Sequence, residues 1–466
     1  MMVAIGDANL PKSYRAYPQR WFVLATVCLL ALSNATIWIS YSPIAPLTEN
    51  FYCMRNGSAL EREKCDVSYW TTQIFQIAGV LTGIFGMFVT DKYGIRISCL
   101  IGSILNLVGA LLRLVSTSSF VPVTSPLVLL YVGQTVAAFA QSFFLCLSPK
   151  VAEFWFPESQ RTLANALAFI ANPLGVIVGS LTPTVISNQG DPASTLLVMN
   201  SVLCGLAAIV FVLTLLIRSG RPPTPPSPSM ESHLSPPFLQ GLLQVFKHKS
   251  FYVQMVTCSF GFAISFSLFV AGDEMFDELG YSEINGYGMA VGSGVGCCAA
   301  VIFGLVVDRT KKFNEVIKLS YLGTALCVFA TNMFLRFQQH SQMNLVFLFV
   351  LVALISFFAT PTWPIGLELG VETTFPVAEA TSSGVLITCV QLALFLLGYA
   401  MKGVSRLGLS TSPYNKYQVA LDLWSLVALA MALFAFFLLN PRHRRREFEE
   451  SELKKTYTEE TIVERY

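Results

Sequence analysis

The side chains that could bind a ligand in this chain are neutral amides and aromatic rings set at helical spacing. On the first apolar run, Asn34, Trp38 and Tyr41 recur at intervals of four and three residues, which places them on one helix face. Phe262 and Phe266 share a face of the seventh run in the same way. Each ring face attracts a cation by about 0.5 to 2 kcal/mol. The pattern predicts a site for an organic cation that is held by rings and not by a buried carboxylate.

Two glutamines extend this candidate site, Gln141 in the fourth apolar run and Gln391 in the eleventh. Amides offer both hydrogen-bond donors and acceptors, so they could orient a polar group on the ligand. Glutamine also joins helix to helix in membrane proteins, where tryptophan and phenylalanine are ordinary packing residues. Helix packing therefore stays open as the alternative role for each of these side chains.

The sequence favours neither an enzyme nor a cofactor. It contains no glycine-rich phosphate-binding loop, no cysteine and histidine spacing for a metal, and no Ser/His/Asp set that one cavity could bring together. We therefore expect no catalytic residue, no metal and no nucleic-acid partner. The expected partners are a small-molecule substrate and the lipid bilayer, with the chain acting as a monomer.

The elements that must position the candidate residues are membrane-spanning helices. Of the 466 residues, 54% are hydrophobic and 12% charged, whereas a soluble domain carries roughly 25% charged residues. Twelve apolar runs approach the ~20 residues that a spanning helix needs. They predict an all-α membrane protein with both termini on one side. The runs are centred on Ala25–Ile44, Trp70–Val89, Ile97–Val115, Val128–Leu147, Leu163–Ile186, Leu196–Ile217, Phe251–Val270, Met289–Val307, Ile317–Leu335, Leu345–Ile365, Gly384–Met401 and Leu421–Leu439.

Basic residues predict the orientation of these helices. Lys and Arg cluster before the first run and after the last, so the positive-inside rule places both termini in the cytoplasm. Three basic residues near the outer end of the last two runs do not fit this rule: Lys402, Arg406 and Lys416. Arg113 alone lies well inside an apolar run, and we expect its long side chain to reach outward to water.

The first outer loop carries signs of extracellular processing. Cys53 and Cys65 are the two cysteines that fall outside the apolar runs, and an oxidising compartment favours a disulfide between them over two free thiols. Asn56 begins an Asn-Gly-Ser triplet, which predicts glycosylation of this loop.

A Pro- and Ser-rich segment divides the apolar runs into six and six, because such a sequence does not hold a helix. A charged loop is repeated in the two halves: Asp91 and Arg96 follow the second run, and Asp308 and Arg309 follow the eighth. A duplicated six-helix unit gives such an echo. The predicted division is a cytoplasmic tail (1–19), an N-terminal six-helix bundle (20–217), a cytoplasmic linker (218–250), a C-terminal six-helix bundle (251–440) and a second cytoplasmic tail (441–466).

The repeated loop resembles the Gly-x-x-x-Asp-Arg-x-Gly-Arg-Lys motif of the major facilitator superfamily, although each copy has lost one of the glycines. The resemblance implies the major facilitator fold, with twelve transmembrane helices in two six-helix bundles around a central cavity. It also implies an inner gate, in which the aspartate caps a helix and pairs with a basic residue to hold the halves together. The gate residues would be Asp91, Arg96, Asp308 and Arg309.

Three longer segments resemble solute carrier family 49, the group of the feline leukaemia virus subgroup C receptors: Leu32–Tyr41, Ala140–Phe156 and Phe375–Gly384. The resemblance implies transport of choline and ethanolamine, with a cage of a first-helix tryptophan, a seventh-helix tyrosine and glutamines on the fourth and eleventh helices. Trp38, Gln141 and Gln391 match the cage. Phe266 stands in the place of the tyrosine, so the ring face is kept and the hydroxyl is lost.

We therefore expect a transporter of a small amine or cation that works by alternating access and facilitated diffusion. The plasma membrane is the expected location, with an intracellular membrane as the alternative. A carrier of haem or another metabolite is the first alternative, although the four histidines fall in loops and tails and place no imidazole in a span to ligate iron. The second alternative is a receptor or scaffold that keeps the transporter fold without moving a solute.

Overall fold

The fold is built from helices that follow the apolar runs. The computed structural model describes residues 15–54, 66–118, 125–145, 147–187, 191–224, 238–337, 341–377, 379–407, 412 and 415–447. The helices are α1 (Gln19–Ile39), α2 (Ala45–Met54), α3 (Val67–Thr117), α4 (Pro126–Phe144), α5 (Leu147–Trp155), α6 (Glu158–Ser187), α7 (Pro192–Leu215), α8 (Phe238–Val245), α9 (Lys249–Ala271), α10 (Asp273–Glu278), α11 (Met289–Thr310), α12 (Phe313–Phe337), α13 (Gln342–Ala359), α14 (Thr362–Thr374), α15 (Glu379–Ser405) and α16 (Gln418–Leu438).

The helix α3 contains two membrane crossings. The described residues hold eleven helical segments that are long and apolar enough to span a membrane, and α3 is 51 residues long. At 1.5 Å per residue it would measure about 76 Å, more than twice the thickness of a hydrocarbon core. Gly94 breaks it with φ 82° and ψ −178°, a backbone conformation that glycine adopts readily and other residues do not. The described residues thus account for twelve crossings, and the predicted fold class is confirmed.

Helices of each predicted half pack mainly on one another. Thus α1 packs on α6 and α4 on α3, while α9 packs on α15 and α12 on α16. Among the described residues, the most extensive contacts between the halves are those of α3 with α15 and of α6 with α11. The approach of α3 to α15 is close because Gly79 has no side chain: a methyl group there would lie 2.9 Å from Gln391 Cγ. Gln391 is therefore held at the boundary between the halves.

The predicted linker ends in a helix. Its Pro-rich part, residues 225–237, lies outside the described residues, and α8 begins directly after it. The segment Phe238–Val245 is free of proline and apolar at helical spacing. It therefore forms a helix, although the whole linker was predicted to be irregular. Gly241 and Val245 of α8 are buried, while Leu239 and Leu243 are exposed.

Arg113 is buried and fixes the outer end of α1, which corrects the expectation that it reaches outward to water. Its side chain is 1% exposed. Arg113 Nη1 donates to the Ile37 carbonyl at 2.6 Å, and Nη2 donates to Ser40 Oγ at 2.7 Å. The guanidinium also lies 4.5 Å from the centre of the Tyr41 ring. These partners replace water as ligands of the charge, and they hold the backbone beside Trp38 in place.

Candidate functional site

An aromatic stack joins the two halves. The rings of Trp38 on α1 and Phe266 on α9 are stacked, with centroids 5.8 Å apart and planes 27° apart. Phe262 continues the stack at 4.4 Å from Phe266 because the two residues lie one turn apart on α9. Trp363, at the start of α14, follows with its ring 4.7 Å from Phe262. Three candidate aromatic residues therefore meet, and Trp363, which the sequence did not single out, is the fourth member of the stack.

The signal for Trp363 was present but weak. It lies between two prolines in Pro361-Thr-Trp-Pro, where the chain breaks between α13 and α14. A broken membrane helix is a frequent pointer to a binding site. In the sequence this stretch continues the apolar run Leu345–Ile365, so the break between the two helices is hidden within one predicted span.

The two candidate glutamines also join the halves. Gln391 Nε2 donates to Gln141 Oε1 at 2.9 Å, from α15 to α4. Each of the two residues is 5% exposed. A hydrogen bond between two amides leaves further donor and acceptor positions on both groups. The pair could therefore hold the halves together or turn toward a polar solute.

Asn34 and Tyr41 are directed into the N-terminal half and not toward the stack, which corrects the expectation that they line a cavity. Asn34 Nδ2 donates to Asn106 Oδ1 and to the Ala137 carbonyl, each at 2.9 Å. The Tyr41 hydroxyl pairs with Asn200, whose Nδ2 lies 2.9 Å away. Because α1 is surrounded by neighbours, residues on one of its faces meet different helices at different depths. Their shared stripe did not reveal this.

A buried group of charges closes the outer ends of the two halves. Lys402 Nζ, in the last turn of α15, lies 2.9 Å from Glu274 Oε1, 3.3 Å from Asp66 Oδ1 and 3.9 Å from Asp273 Oδ1. Arg406 also pairs with Asp66. Asp66 precedes α3 in the N-terminal half, while the other four residues belong to the C-terminal half. We call these five residues the outer charge cluster.

Burial of the outer charge cluster is nearly complete at its centre. Lys402 is 3% exposed, Asp66 4% and Asp273 2%. The carboxylates of Glu49, Asp66 and Glu274 lie within 4.8 Å of one another, a spacing that could suit a metal ion. The ammonium of Lys402 already supplies a cation there. The cluster explains why Lys402 and Arg406 do not follow the positive-inside rule, and Lys416 likewise pairs with Glu278 at 2.6 Å.

Acidic groups outnumber the bases in this region, and burial changes their titration. Burial raises the pKa of the Asp273 carboxyl, and the neighbouring Lys402 charge only partly offsets it. The pKa of Asp277 is raised to about 7, chiefly by burial and next by the charge of Asp273. The Asn285 amide, which donates to Asp277 at 3.3 Å, acts in the opposite direction. These raised pKa values indicate that negative charge at the outer end of α9 is unfavourable unless Lys402 is there to compensate it.

The predicted inner gate is described only in part. Asp91 accepts a hydrogen bond from Lys150 Nζ at 3.1 Å. Both residues belong to the N-terminal half, so this pair does not join the halves, contrary to the expectation from the family motif. The reason is proximity, since Lys150 lies on the neighbouring helix α5. Arg96 and Arg309 are exposed, and the side chain of Asp308 lies outside the described residues.

The outer-loop sites lie mostly outside the described residues. Cys53, at the end of α2, is disulfide-bonded. Its predicted partner Cys65 and the predicted glycosylation site Asn56 are not among the described residues. The pairing with Cys65 and the modification of Asn56 stay predictions.

The described residues form twelve crossings in two packed halves with neutral amides and rings at their boundary, an arrangement typical of membrane carriers. The profile of the Major Facilitator Superfamily matches residues 23–398. A D-xylose-proton symporter of known structure aligns with a TM-score of 0.71 at 15% identity, covering 91% of this chain and 99% of that one. This similarity shows the fold.

Two relatives narrow the class. Solute carrier family 49 member A3 of Danio rerio is 32% identical over 394 residues, which cover 84% of this chain and 80% of the relative. The choline/ethanolamine transporter FLVCR2 of Homo sapiens is 26% identical over 390 residues, which cover 80% of this chain and 70% of that protein. The chain therefore belongs to the major facilitator superfamily and, within it, to solute carrier family 49. Proteins of this superfamily are multi-pass membrane carriers and not enzymes.

Proposed function

We propose that the chain carries a small amine or organic cation of the choline and ethanolamine type by alternating access. The observation that carries the proposal is the stack of Trp38 on Phe266 at the boundary between the halves. Ring faces attract a cation without requiring it to donate a hydrogen bond. The Gln141–Gln391 pair lies on the two other helices that the family resemblance assigns to the cage. Relatives described as choline/ethanolamine transporters support the same substrate class.

The outer charge cluster keeps the carrier closed on its outer side. It joins the N-terminal and C-terminal halves at their outer ends through Lys402 and Asp66. A solute held by the rings is then separated from the outer solution. Release to that side requires Lys402 to leave its carboxylates and the two halves to part. Alternating access thus depends on a pair of buried charges that forms in one state and breaks in the other.

Facilitated diffusion fits the charge distribution. The residues of the proposed cage are neutral, and the charges that join the halves lie at the outer ends of the helices. A downhill carrier of a cation needs no proton-transferring group beside its substrate. The membrane potential, worth about 2.3 kcal/mol per charge at 100 mV, can drive a cation inward. We place this activity in the plasma membrane and assign it to the monomer.

Uptake of labelled solute tests the proposal. In cells without their own choline carriers, expression of the chain should raise uptake of labelled choline or ethanolamine over cells that express an empty vector. No rise across a broad panel of amines would contradict the proposal. An untargeted metabolite comparison between expressing and silent cells then separates two outcomes. A changed metabolite, haem included, indicates another cargo, and an unchanged profile indicates a receptor or scaffold.

Phe266→Tyr tests whether the second ring belongs to the site. The change restores the hydroxyl that the resemblance assigns to this position and keeps the ring. We expect choline to bind equally well or up to about tenfold more tightly, because one hydrogen bond contributes roughly 0.5–1.5 kcal/mol. Phe269→Tyr, near the outer end of the same helix, is the matched control and should leave choline binding unchanged. Loss of choline binding only in Phe266→Tyr would argue that Phe266 is a packing residue with no room for a ligand.

A further inference from the structure

Gln76 is a buried glutamine whose amide is not used in helix packing. It is 0% exposed. Neither its Oε1 nor its Nε2 has a hydrogen-bond partner among the described residues. Gln73, three residues earlier, differs in that its Nε2 donates to the Tyr69 hydroxyl at 2.8 Å, although its Oε1 also lacks a partner among the described residues. An amide offers two donors and an acceptor, and buried amides are almost always paired. We therefore expect the amide of Gln76 to form hydrogen bonds with a group outside the described part of the protein.

The position of Gln76 on α3 directs it toward the candidate site. Gln73, three residues earlier, also donates to the Phe395 carbonyl of α15 at 3.3 Å. Gly79, three residues later, faces Gln391 of the same helix, since a methyl group on Gly79 would lie 2.9 Å from Gln391 Cγ. Residues three apart lie on one face of a helix. Gln76 therefore faces α15 between Phe395 and Gln391, next to one of the two cage glutamines.

The aromatic stack offers a second unpaired polar group. Trp38 Nε1 is buried and, within the described ranges, has no hydrogen-bond acceptor. The indole is a donor only, whereas Gln76 can both donate and accept. Two buried polar groups without partners, one on the ring stack and one facing Gln391, are what a site for a polar head group would contain. A quaternary ammonium group has no N–H to donate to the acceptor of Gln76.

We infer that Gln76 is a substrate-binding residue that accepts a hydrogen bond from the head group of the solute, so the site prefers an ammonium with N–H groups over a quaternary one. The inference rests on the proposed function and names the substrate within that class. A primary ammonium presents three N–H donors, and a neighbouring hydroxyl on the solute presents both a donor and an acceptor. Each methyl group added to the nitrogen removes one donor and leaves the glutamine oxygen more poorly paired.

The hydrogen bond to Gln76 should discriminate strongly between amines that carry N–H groups and quaternary amines. A site built to hydrogen-bond a substrate rejects an analogue that lacks the group, because its own buried polar atoms are then left unpaired. Added methyl groups strengthen contact with the rings, so the two effects oppose each other. We expect the hydrogen bond to dominate, with affinity falling by about tenfold or more from ethanolamine to choline.

Four probes form the test: ethanolamine, its N-methyl and N,N-dimethyl derivatives, and choline. Apparent dissociation constants come from the concentration dependence of the thermal stabilisation of the purified full chain. The wild type should bind the four in that order. The Gln76→Met variant keeps an unbranched side chain of similar length. In this variant the binding of ethanolamine should weaken by about tenfold, and choline should bind at least as well as it does to the wild type. Gln76→Glu keeps an acceptor and should retain the preference for ethanolamine.

The matched control is Gln73→Met on the same face of α3, which should leave the ratio of the ethanolamine and choline constants unchanged. A wild type that binds choline as well as or better than ethanolamine overturns the inference. So does a Gln76→Met variant that keeps the order of the wild type, or a Gln76→Glu variant that folds and loses it. If none of the four amines stabilises the wild type, the proposed function itself has failed, and the melting curve without ligand shows whether each variant is folded.

Discussion

Replacing Trp38 with alanine should remove most transport while leaving the chain at the cell surface. Trp38 supplies the ring of the N-terminal half that stacks on Phe266. Loss of one desolvated ring face removes about 1 to 2 kcal/mol of cation attraction, which corresponds to roughly a five- to thirty-fold loss of affinity. Uptake of labelled choline and ethanolamine, normalised to surface expression, measures the effect. Trp38→Phe should retain part of the activity because it keeps a ring.

Trp21→Ala is the matched control for this prediction. Trp21 lies on the same helix and is 40% exposed. Its ring packs edge-to-face against Phe156, far along the helix from the stack. The control should transport at close to the wild-type rate. Normal transport by Trp38→Ala at normal surface expression would mean that Trp38 is only a packing residue, and that the comparison with the relatives fails at this position.

Replacing Lys402 with methionine should open the outer side of the protein. The change leaves Asp66, Asp273 and Glu274 close together and opposite only Arg406. Removing one member of a buried ion pair costs about 3–5 kcal/mol because the remaining charge is left without compensation. A change of about 3 kcal/mol shifts the ratio of outer-closed to outer-open molecules by roughly a hundredfold. The carrier should then accumulate with its outer side open and its transport slowed.

A cysteine at position 269 reports this change. Phe269 is buried near the outer end of α9, and its carbonyl accepts a hydrogen bond from Ser42 of the N-terminal half at 3.2 Å. In Phe269→Cys, a membrane-impermeant thiol reagent added outside should label the Lys402→Met background much faster than the wild-type background. Lys416→Met is the matched control, since Lys416 pairs with Glu278 at the surface and is 61% exposed on its side chain. Equal labelling in all three backgrounds would show that the outer charge cluster does not hold the halves together.

The residues that bring the halves together differ in how visible they are in the sequence. Trp38, Phe266, Gln141 and Gln391 were found from residue type, helical spacing and family resemblance, and the structure brings them together in two pairs. Their roles in binding stay predictions. Gln76 was not found, because one glutamine in an apolar run is a common packing residue. Its distinguishing property is that its amide lacks a partner, and only the packed structure reveals this.

The same stripe of residues can serve two purposes, which limits what helical spacing determines. Asn34, Trp38 and Tyr41 follow one helical stripe, with Tyr41 just beyond the end of α1, yet Trp38 meets the C-terminal half while the other two bond within their own half. Helical spacing fixes the direction in which a side chain points around the axis of its helix. It does not determine which neighbour lies at each depth, since that depends on how the surrounding helices are arranged.

The sequence by itself determined the membrane solvent and the major facilitator fold, and it predicted the orientation and the division into halves, which stay predictions. Each of these depends on local properties: runs of apolar residues long enough for a bilayer, the side on which lysine and arginine accumulate, and a proline-rich break. The tertiary structure alone decided which charges pair. Lys402 and Arg113 were exceptions in the sequence, one to the positive-inside rule and one to the absence of charge inside the spans. Both proved to be buried against partners far along the chain, Asp66 and the end of α1. A buried charge is tolerated only where its partners are in place. Residues far apart in the sequence become partners only when the helices have packed.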